Sequence, residues 1–469
     1  MTMNRLDTAS SDAPLPVTTL DSLVAEEERV FLTRQPRSAE LYQRARRVLA
    51  GGVTSSWQIT RPQPVFIDRG NGSKIVDVDG NEYVDLHGGY GAGLAGHAHP
   101  AIVEAVTAQV RRGTHFAQPN EDAVAVAEEL ARRFGLPMWR FMNSGTEATM
   151  DAVHLMRAVT GRDLIIKVEG CYHGHHDSVQ VSVAPGEDEP IGSIDNPKSV
   201  PSSTGIPDAL TSLTLVATFN DLGSVDRLLE MHRGRVAGMI VEPIMMNAGI
   251  VPPVPGYLEG LQALLHRHGA LLCFDEVKTG LAAGPSGATG ITGVVPDIVC
   301  LAKAIGGGLI VGAVGATAEL MDHVAQGDYE MVGTFNGNPL SIAAARAMLE
   351  HVATDDAYQR LGRLRQRIDE ALTAAIARAG LPAHVVSVGA KGCVTFATSP
   401  VRNYRDFLAI DDRYNHLHWL CQHNGGVFLP PWGKTEQWLL SVQHEDPDIE
   451  RFITNFERFA EMAAGAGAS

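Results

Sequence analysis

Long hydrophobic runs are missing from this chain of 469 residues. Its longest uncharged stretches, 279–296 and 304–318, are broken by glycine and fall short of the roughly 20 apolar residues a membrane-spanning helix needs. Positive charge is also scarce. The 38 Lys and Arg face 54 Asp and Glu, a formal charge of −16, which disfavours nucleic acid and anionic membranes as partners. Five dispersed cysteines (171, 273, 300, 393, 421) without CxxC spacing exclude a disulfide framework and a zinc–sulfur site. Cys273 and Cys300 lie in apolar runs and read as inert core residues. The first 20 residues have no apolar signal core and carry Asp7 and Asp12, so neither a secretory signal nor a transit peptide is expected and the default location is cytoplasmic. A P-loop is lacking too: the Gly433–Thr435 Gly-Lys-Thr has Phe428 where the first glycine must stand.

What is present is an ordinary globular composition, 45% hydrophobic and 20% charged, with one excess. Glycine numbers 48, about a tenth of the chain against a usual share of roughly 7%. Ten fall between Gly280 and Gly315 and five between Gly88 and Gly96, as expected where backbone closely approaches a ligand or a second subunit. The first 30 or so residues read as a frayed arm, and a helix pattern follows near Ser38–Leu49. Two alternating strands meet at Asp79-Gly80, a hairpin signal. From about Pro100 to Pro296 helical stretches alternate with short apolar runs, which predicts an α/β fold with a mostly parallel sheet and ligands at the carboxyl ends of its strands. Residues 184–208, rich in Pro, Gly and Ser, read as a long loop suited to an active-site lid. Beyond Leu340, long helices and short strands suggest a smaller α+β domain.

Four segments carry chemistry. In FMNSGTEATM (141–150), Ser144 with Glu147 fits a capping box; the same strand-to-helix turn, with Gly145 and Thr146, also suits an anion at a helix N-terminus. In ALLCFDEV, Asp275 ends an apolar strand and is either a local salt-bridge or capping group or a ligand-facing carboxylate. Lys303 lies in the apolar run PDIVCLAKAIGGGL. It either snorkels to water or, if buried, has the lowered pKa that makes an amine nucleophilic. The 28 residues from Asp275 to Lys303 bracket one helix-sized connection, so both side chains can emerge at one sheet edge. Finally, EGCYHGHHDS (169–178) holds three histidines and Asp177 without a second ligand cluster, so no metal is expected, and Tyr172 and His173 offer a ring and a donor to a flat cofactor.

NSGTEA, CYHGH, FDEV-x-TG, LAK-x-IGGG and GTFNGNPL, in this order, resemble the class III aminotransferases of pyridoxal-phosphate fold type I, and within them glutamate-1-semialdehyde 2,1-aminomutase. The resemblance runs from about Tyr42 to Phe459 and takes in GGVTSS, DVDGNEYVDL, GHAHP and EPIMMNAG. It implies an arm (1–35), a segment (36–85) packing with the small domain, a large cofactor domain (86–340) and a small C-terminal domain (341–469). It implies pyridoxal 5'-phosphate as cofactor, with Lys303 forming the Schiff base and shuttling the proton and Asp275 pairing with the pyridine nitrogen, which makes the ring an electron sink. Val277 and Tyr172 would flank the ring, with His173 nearby, and Ser144, Gly145 and Thr146 would hold the phosphate. Asn220 and Glu242 match further pocket positions. Gly333 and Thr334 match the pair that reaches the phosphate from the neighbouring subunit, implying a homodimer.

Two departures bear on substrate. The aminomutase's GGVSSPVR supplies an arginine for a carboxylate; here the text is GGVTSSWQ, with Ser55, Trp57 and Gln58, and glutamine cannot replace the bidentate cation. Residues 429–442 bring Trp432, Lys434 and Trp438 and no arginine, leaving Arg61 or Lys434 for a carboxylate. The expectation is therefore an aminotransferase moving an amino group from an amine or amino acid, not a small diacid, to a small-molecule keto acceptor. The aminomutase is the alternative, followed by a decarboxylase or racemase on the same scaffold, and last by a catalytically silent cofactor-binding protein.

Overall fold

The computed structural model describes residues 19–186, 188–431, 434 and 437–466. Its centre is a seven-stranded sheet built, in chain order, from β1 (Met138–Met142), β2 (Leu164–Val168), β3 (Thr214–Ala217), β4 (Val236–Val241), β5 (Leu271–Asp275), β6 (Ile298–Ala302) and β7 (Gly312–Ala316). The spatial order is β1-β7-β6-β5-β4-β2-β3. Only β7 runs antiparallel to its two neighbours, so the sheet is mostly parallel, as the alternating pattern predicts. β2, β4, β6 and β7 are buried along their whole length, because helices cover both faces. Cys273 and Cys300 face each other inside this core as free thiols, Sγ to Sγ 3.8 Å.

In the β5–β6 register Asp275 lies opposite Cys300. Both strands therefore end at one edge, with Asp275 closing β5 and Lys303 opening the tight turn after β6. At the same edge β1 passes through Ser144 into the helix Gly145–Thr160.

The remaining elements wrap this core. The predicted hairpin forms from Lys74–Asp77 and Glu82–Asp85, in a sheet completed by Ile67–Asn71 and by Val427–Phe428 from the far end of the chain. Near the C-terminus, His384–Val388, Lys391–Thr395 and Gln437–Leu439 form an antiparallel sheet alongside the helices Asp355–Ala379, Asp412–Asn424 and Asp446–Ala466. Aromatic side chains fill that region: Trp438 packs edge-on against Phe452, and Phe456 packs at a tilt against Phe459.

One expectation is corrected. Residues 20–33 are not a frayed arm but a helix, Leu20–Thr33, whose N-cap Thr19 accepts from the Ser22 amide. Its Phe31 is fully buried against Trp419, their ring centroids 5.6 Å apart, and burying such a side chain contributes about 2–3 kcal/mol, enough to hold a short helix down. Residues 1–18, where the rest of the expected arm falls, lie outside the described residues. The helix expected near Ser38–Leu49 runs from Pro36 to Ala45, with proline in its first turn.

Candidate active site

The sheet edge carrying Asp275 and Lys303 opens into a cavity of about 310 Å³. Ser144, Gly145, Thr146, Tyr172, His173, Glu242, Asp275, Val277 and Lys303 all line it, so nine positions chosen from five separate stretches of sequence converge. At one end the Ser144 hydroxyl accepts from the Glu147 amide (3.1 Å) and the Thr146 hydroxyl from the His175 amide (3.1 Å). Gly145 is required there: a Cβ would stand 2.9 Å from Val277 Cγ1, so a side chain would close the space before the helix N-terminus. With those two amides so occupied, the first-turn amides of Gly145 and Thr146 and the positive helix end are what an anion would meet, an anion cradle.

At the floor, Asp275 accepts from His173 Nδ1 at 2.8 Å and from the Val277 amide at 3.0 Å. His173 is buried and its Nε2 has no hydrogen-bond partner among the described residues. The other two histidines diverge. His175 is exposed, and His176 points its Nε2 toward the Thr149 hydroxyl, with burial pushing it down to about 4. Glu242 is tied by the amides of Tyr172 (3.0 Å) and Met246 (2.6 Å) and by the Asn247 side chain (2.8 Å). Lys303 has a left-handed backbone, φ 51°, unusual for a side-chain-bearing residue. Burial lowers its ammonium pKa, partly offset by Asp275 and Glu242.

A second chamber of about 460 Å³ adjoins the first, and Trp57, Tyr172, Met246, Asn247 and Lys278 line both. Its walls include Ala184, Pro185, Val200 and Pro201 from the predicted lid loop. Trp57 meets Tyr172 and Tyr90 edge-on, at 5.1 and 5.3 Å. Two lysines that sequence reasoning missed stand here. Lys278, three residues past Asp275, donates to the Met246 carbonyl at 2.9 Å, and burial drops its pKa to about 7. Lys391 lies in Lys391–Thr395 with 3% of its surface exposed.

Several expected residues lie elsewhere. Gln58 turns back onto its own loop, where Oε1 accepts from the Thr54 and Ser55 amides and the Thr54 hydroxyl; neither it nor Ser55 lines a chamber. Asn220, with φ 63°, holds backbone instead: its amide donates to the Pro252 and Arg402 carbonyls and accepts from the Val254 amide. Gly333 and Thr334 are exposed and outside both chambers of their own chain. Lys434 donates to the Leu408 carbonyl, and Arg61 is exposed. Trp432 lies outside the described residues.

An anion cradle, Val277 and the Tyr172 ring in the cavity wall, a buried carboxylate and a buried amine together suit a phosphate-bearing, ring-shaped aldehyde. Comparisons with known proteins agree. The family described as "Aminotransferase class-III" matches residues 57–440. Glutamate-1-semialdehyde 2,1-aminomutase of Syntrophobacter fumaroxidans is 39% identical over 91% of this chain and 99% of its own. Among solved structures, an omega-transaminase from Sphaerobacter thermophilus is 34% identical with a TM-score of 0.86, covering 92% of this chain and 99% of its own. A glutamate-1-semialdehyde aminomutase from Pseudomonas aeruginosa PAO1, solved in complex with PMP, is 30% identical with a TM-score of 0.87, covering 95% and 98%. The chain thus has the fold type I architecture, takes pyridoxal phosphate, and belongs to the class III aminotransferase family.

Proposed function

We propose that the chain relocates an amino group on a small carboxylate-bearing substrate, with Lys303 as the group that moves the proton. The observation that carries this is the convergence of Lys303, Asp275 and the Ser144–Thr146 cradle on one cavity. When bound, pyridoxal phosphate supplies an aldehyde carbon for amines to condense with and a ring that accepts the electron pair left when a carbon–hydrogen bond breaks. Gly145, Thr146 and the helix end would hold the phosphate. Asp275, fixed by His173 and the Val277 amide, would keep a proton on the ring nitrogen. Val277 and Tyr172 would confine the ring, and Glu242 fixes the Tyr172 backbone. Burial favours the neutral, basic form of Lys303, which would take a proton from one substrate carbon and return it to another.

Two outcomes are open to such a site. The curated relatives, 38–39% identical along nine-tenths of the chain, favour isomerisation of the glutamate-1-semialdehyde type over the transfer between two molecules that the sequence places first. One specific feature favours the transaminase: Gln58, at the place of the expected arginine, is folded back on its own loop. Incubating the chain with glutamate-1-semialdehyde and no acceptor decides between them. 5-Aminolevulinate would support isomerisation; its absence, with exchange between amines or β-amino acids and pyruvate, would support the transaminase. The reading also takes the protein to be a homodimer in which Gly333 and Thr334 of one protomer reach the phosphate site of the other. Their flanking Val332 and Phe335, 78% and 57% exposed, support that, and the mass of the assembly in solution tests it.

A further inference from the structure

Lys391 is a buried amine with no counter-ion among the described residues. Its strand pairs with Gln437–Leu439, and its side chain is carried into the wall of the outer chamber. No hydrogen-bond acceptor or carboxylate meets its ammonium among the described residues. Its charged and titratable neighbours are Lys278, Lys303, the His87 imidazole and the Cys393 thiol, and burial together with the two lysines pushes its pKa down. The acid among the described lining residues is Glu189, exposed on the lid loop. Burying an ammonium without a partner costs several kcal/mol, so the empty site favours the neutral amine at some cost in stability against an apolar residue of the same length, and an arriving carboxylate would restore the charge. Lys167, the other buried lysine among the described residues, differs in the relevant respect: it donates to the carbonyls of Cys171 and Val181.

The position is as telling as the missing partner. A Cβ on Gly91 would lie 3.4 Å from Lys303 Cδ and 3.7 Å from Lys391 Nζ, so the ammonium stands one small residue's width from the stem of the amine that handles the reacting carbon. Gly91 has φ 110° and no side chain, so it puts no Cβ into the space beside the two. Of the cations offered by the sequence, Lys434 is on a carbonyl and Arg61 is exposed, and Lys278 too is on a carbonyl.

We propose that Lys391 is the substrate's carboxylate anchor, replacing the arginine that Gln58 does not supply, and that it selects amino acids whose carboxylate lies within one or two carbons of the reacting carbon. The apolar walls given by Trp57, Tyr90, Val200 and Phe407 would take the rest of such a molecule. The inference rests on the proposed amino-group chemistry at Lys303.

The test uses Lys391→Met, which keeps the stem and removes the charge, with Lys391→Arg and Lys278→Met as controls. Visible absorbance reports cofactor loading, and calorimetric titration with propionate and 3-phenylpropionate, against the matching amides, reports anchoring without turnover. Wild type should bind the acids and not the amides. Lys391→Met should lose acid affinity by on the order of tenfold or more, Lys391→Arg should keep most of it, and Lys391→Met should melt no lower than wild type. A structural lysine would instead give a lower melting temperature and unchanged acid affinity. That result, a loss that follows Lys278→Met instead, or a wild type indifferent to carboxylates overturns the proposal. A chain that takes up no cofactor yet binds carboxylates through Lys391 breaks the proposed function and supports the anchor.

Discussion

The two chambers differ in how their polar atoms are held. In the inner one both acids and a cradle hydroxyl are tied by neighbours: Asp275 by His173 and a backbone amide, Glu242 by three donors, Thr146 by the His175 amide. In the outer one apolar walls drawn from the N-terminal segment, the lid loop and the C-terminal sheet surround lysines with little or no partnering. The inner chamber is organised before any substrate arrives, which is what electrostatic assistance to a reaction requires. The outer chamber leaves its polar demands for the substrate to meet, which suits selection. Variants in the first should therefore change kcat and variants in the second KM.

The largest effect belongs to Lys303→Ala, expected to lower turnover by at least about 10⁴-fold and to remove the borohydride-sensitive visible band; a variant keeping that band would displace the lysine from its role. Asp275→Asn should lower kcat by roughly 10²–10³-fold with little change in KM. His173→Phe, acting through Asp275, should cost less and alter the pH profile of kcat; equal losses in both variants would mean that histidine and carboxylate work as one unit. On the outer side, Trp57→Ala should raise KM about tenfold or less while kcat holds, and a mainly kcat effect would blur the distinction between the chambers. Gln58→Ala should change KM by less than about threefold, since its cost falls on the loop it caps, on the order of 1 kcal/mol, read by thermal melting.

A smaller effect, at the boundary the chambers share, depends on pH. Lys278 has its pKa lowered to about 7 in the folded chain, against 10.5 when unfolded. Between those values the unfolded state binds more protons, so this group makes the cofactor-free chain more stable as pH rises. Melting temperatures from pH 7 to about 9 should climb less steeply in Lys278→Met than in wild type; parallel curves would remove Lys278 as a source of buried-charge strain.

What could be read from the sequence follows the same division. Asp275, Lys303 and Ser144–Thr146 stand at strand ends, where an apolar run broken by one polar residue or a glycine signals the edge of a parallel sheet. Lys391 gives no such signal, because a lysine in KGCVT looks like an exposed position on an alternating strand, and only the packing of Lys391–Thr395 between its neighbours and the Gly88–Gly91 turn buries it. Gln58 was misplaced although the sequence held the clue: Ser55 and Gln58 have capping-box spacing, and that local use won. Asn220 was misplaced because its task, satisfying three backbone groups from a left-handed conformation, depends on loops that meet only in the fold. The helix Leu20–Thr33 was overlooked because polar composition hid Phe31, the anchor it buries.

Trp57 belongs to the wall of both chambers and meets the Tyr172 ring at 5.1 Å. That makes the protein its own optical sensor. A cofactor that absorbs where an indole emits would quench this residue far more than the buried Trp419 or Trp438, which line neither chamber. Loading could then be followed as a loss of ultraviolet-excited emission, and arrival of a substrate in the outer chamber as a shift in its colour, with no label attached.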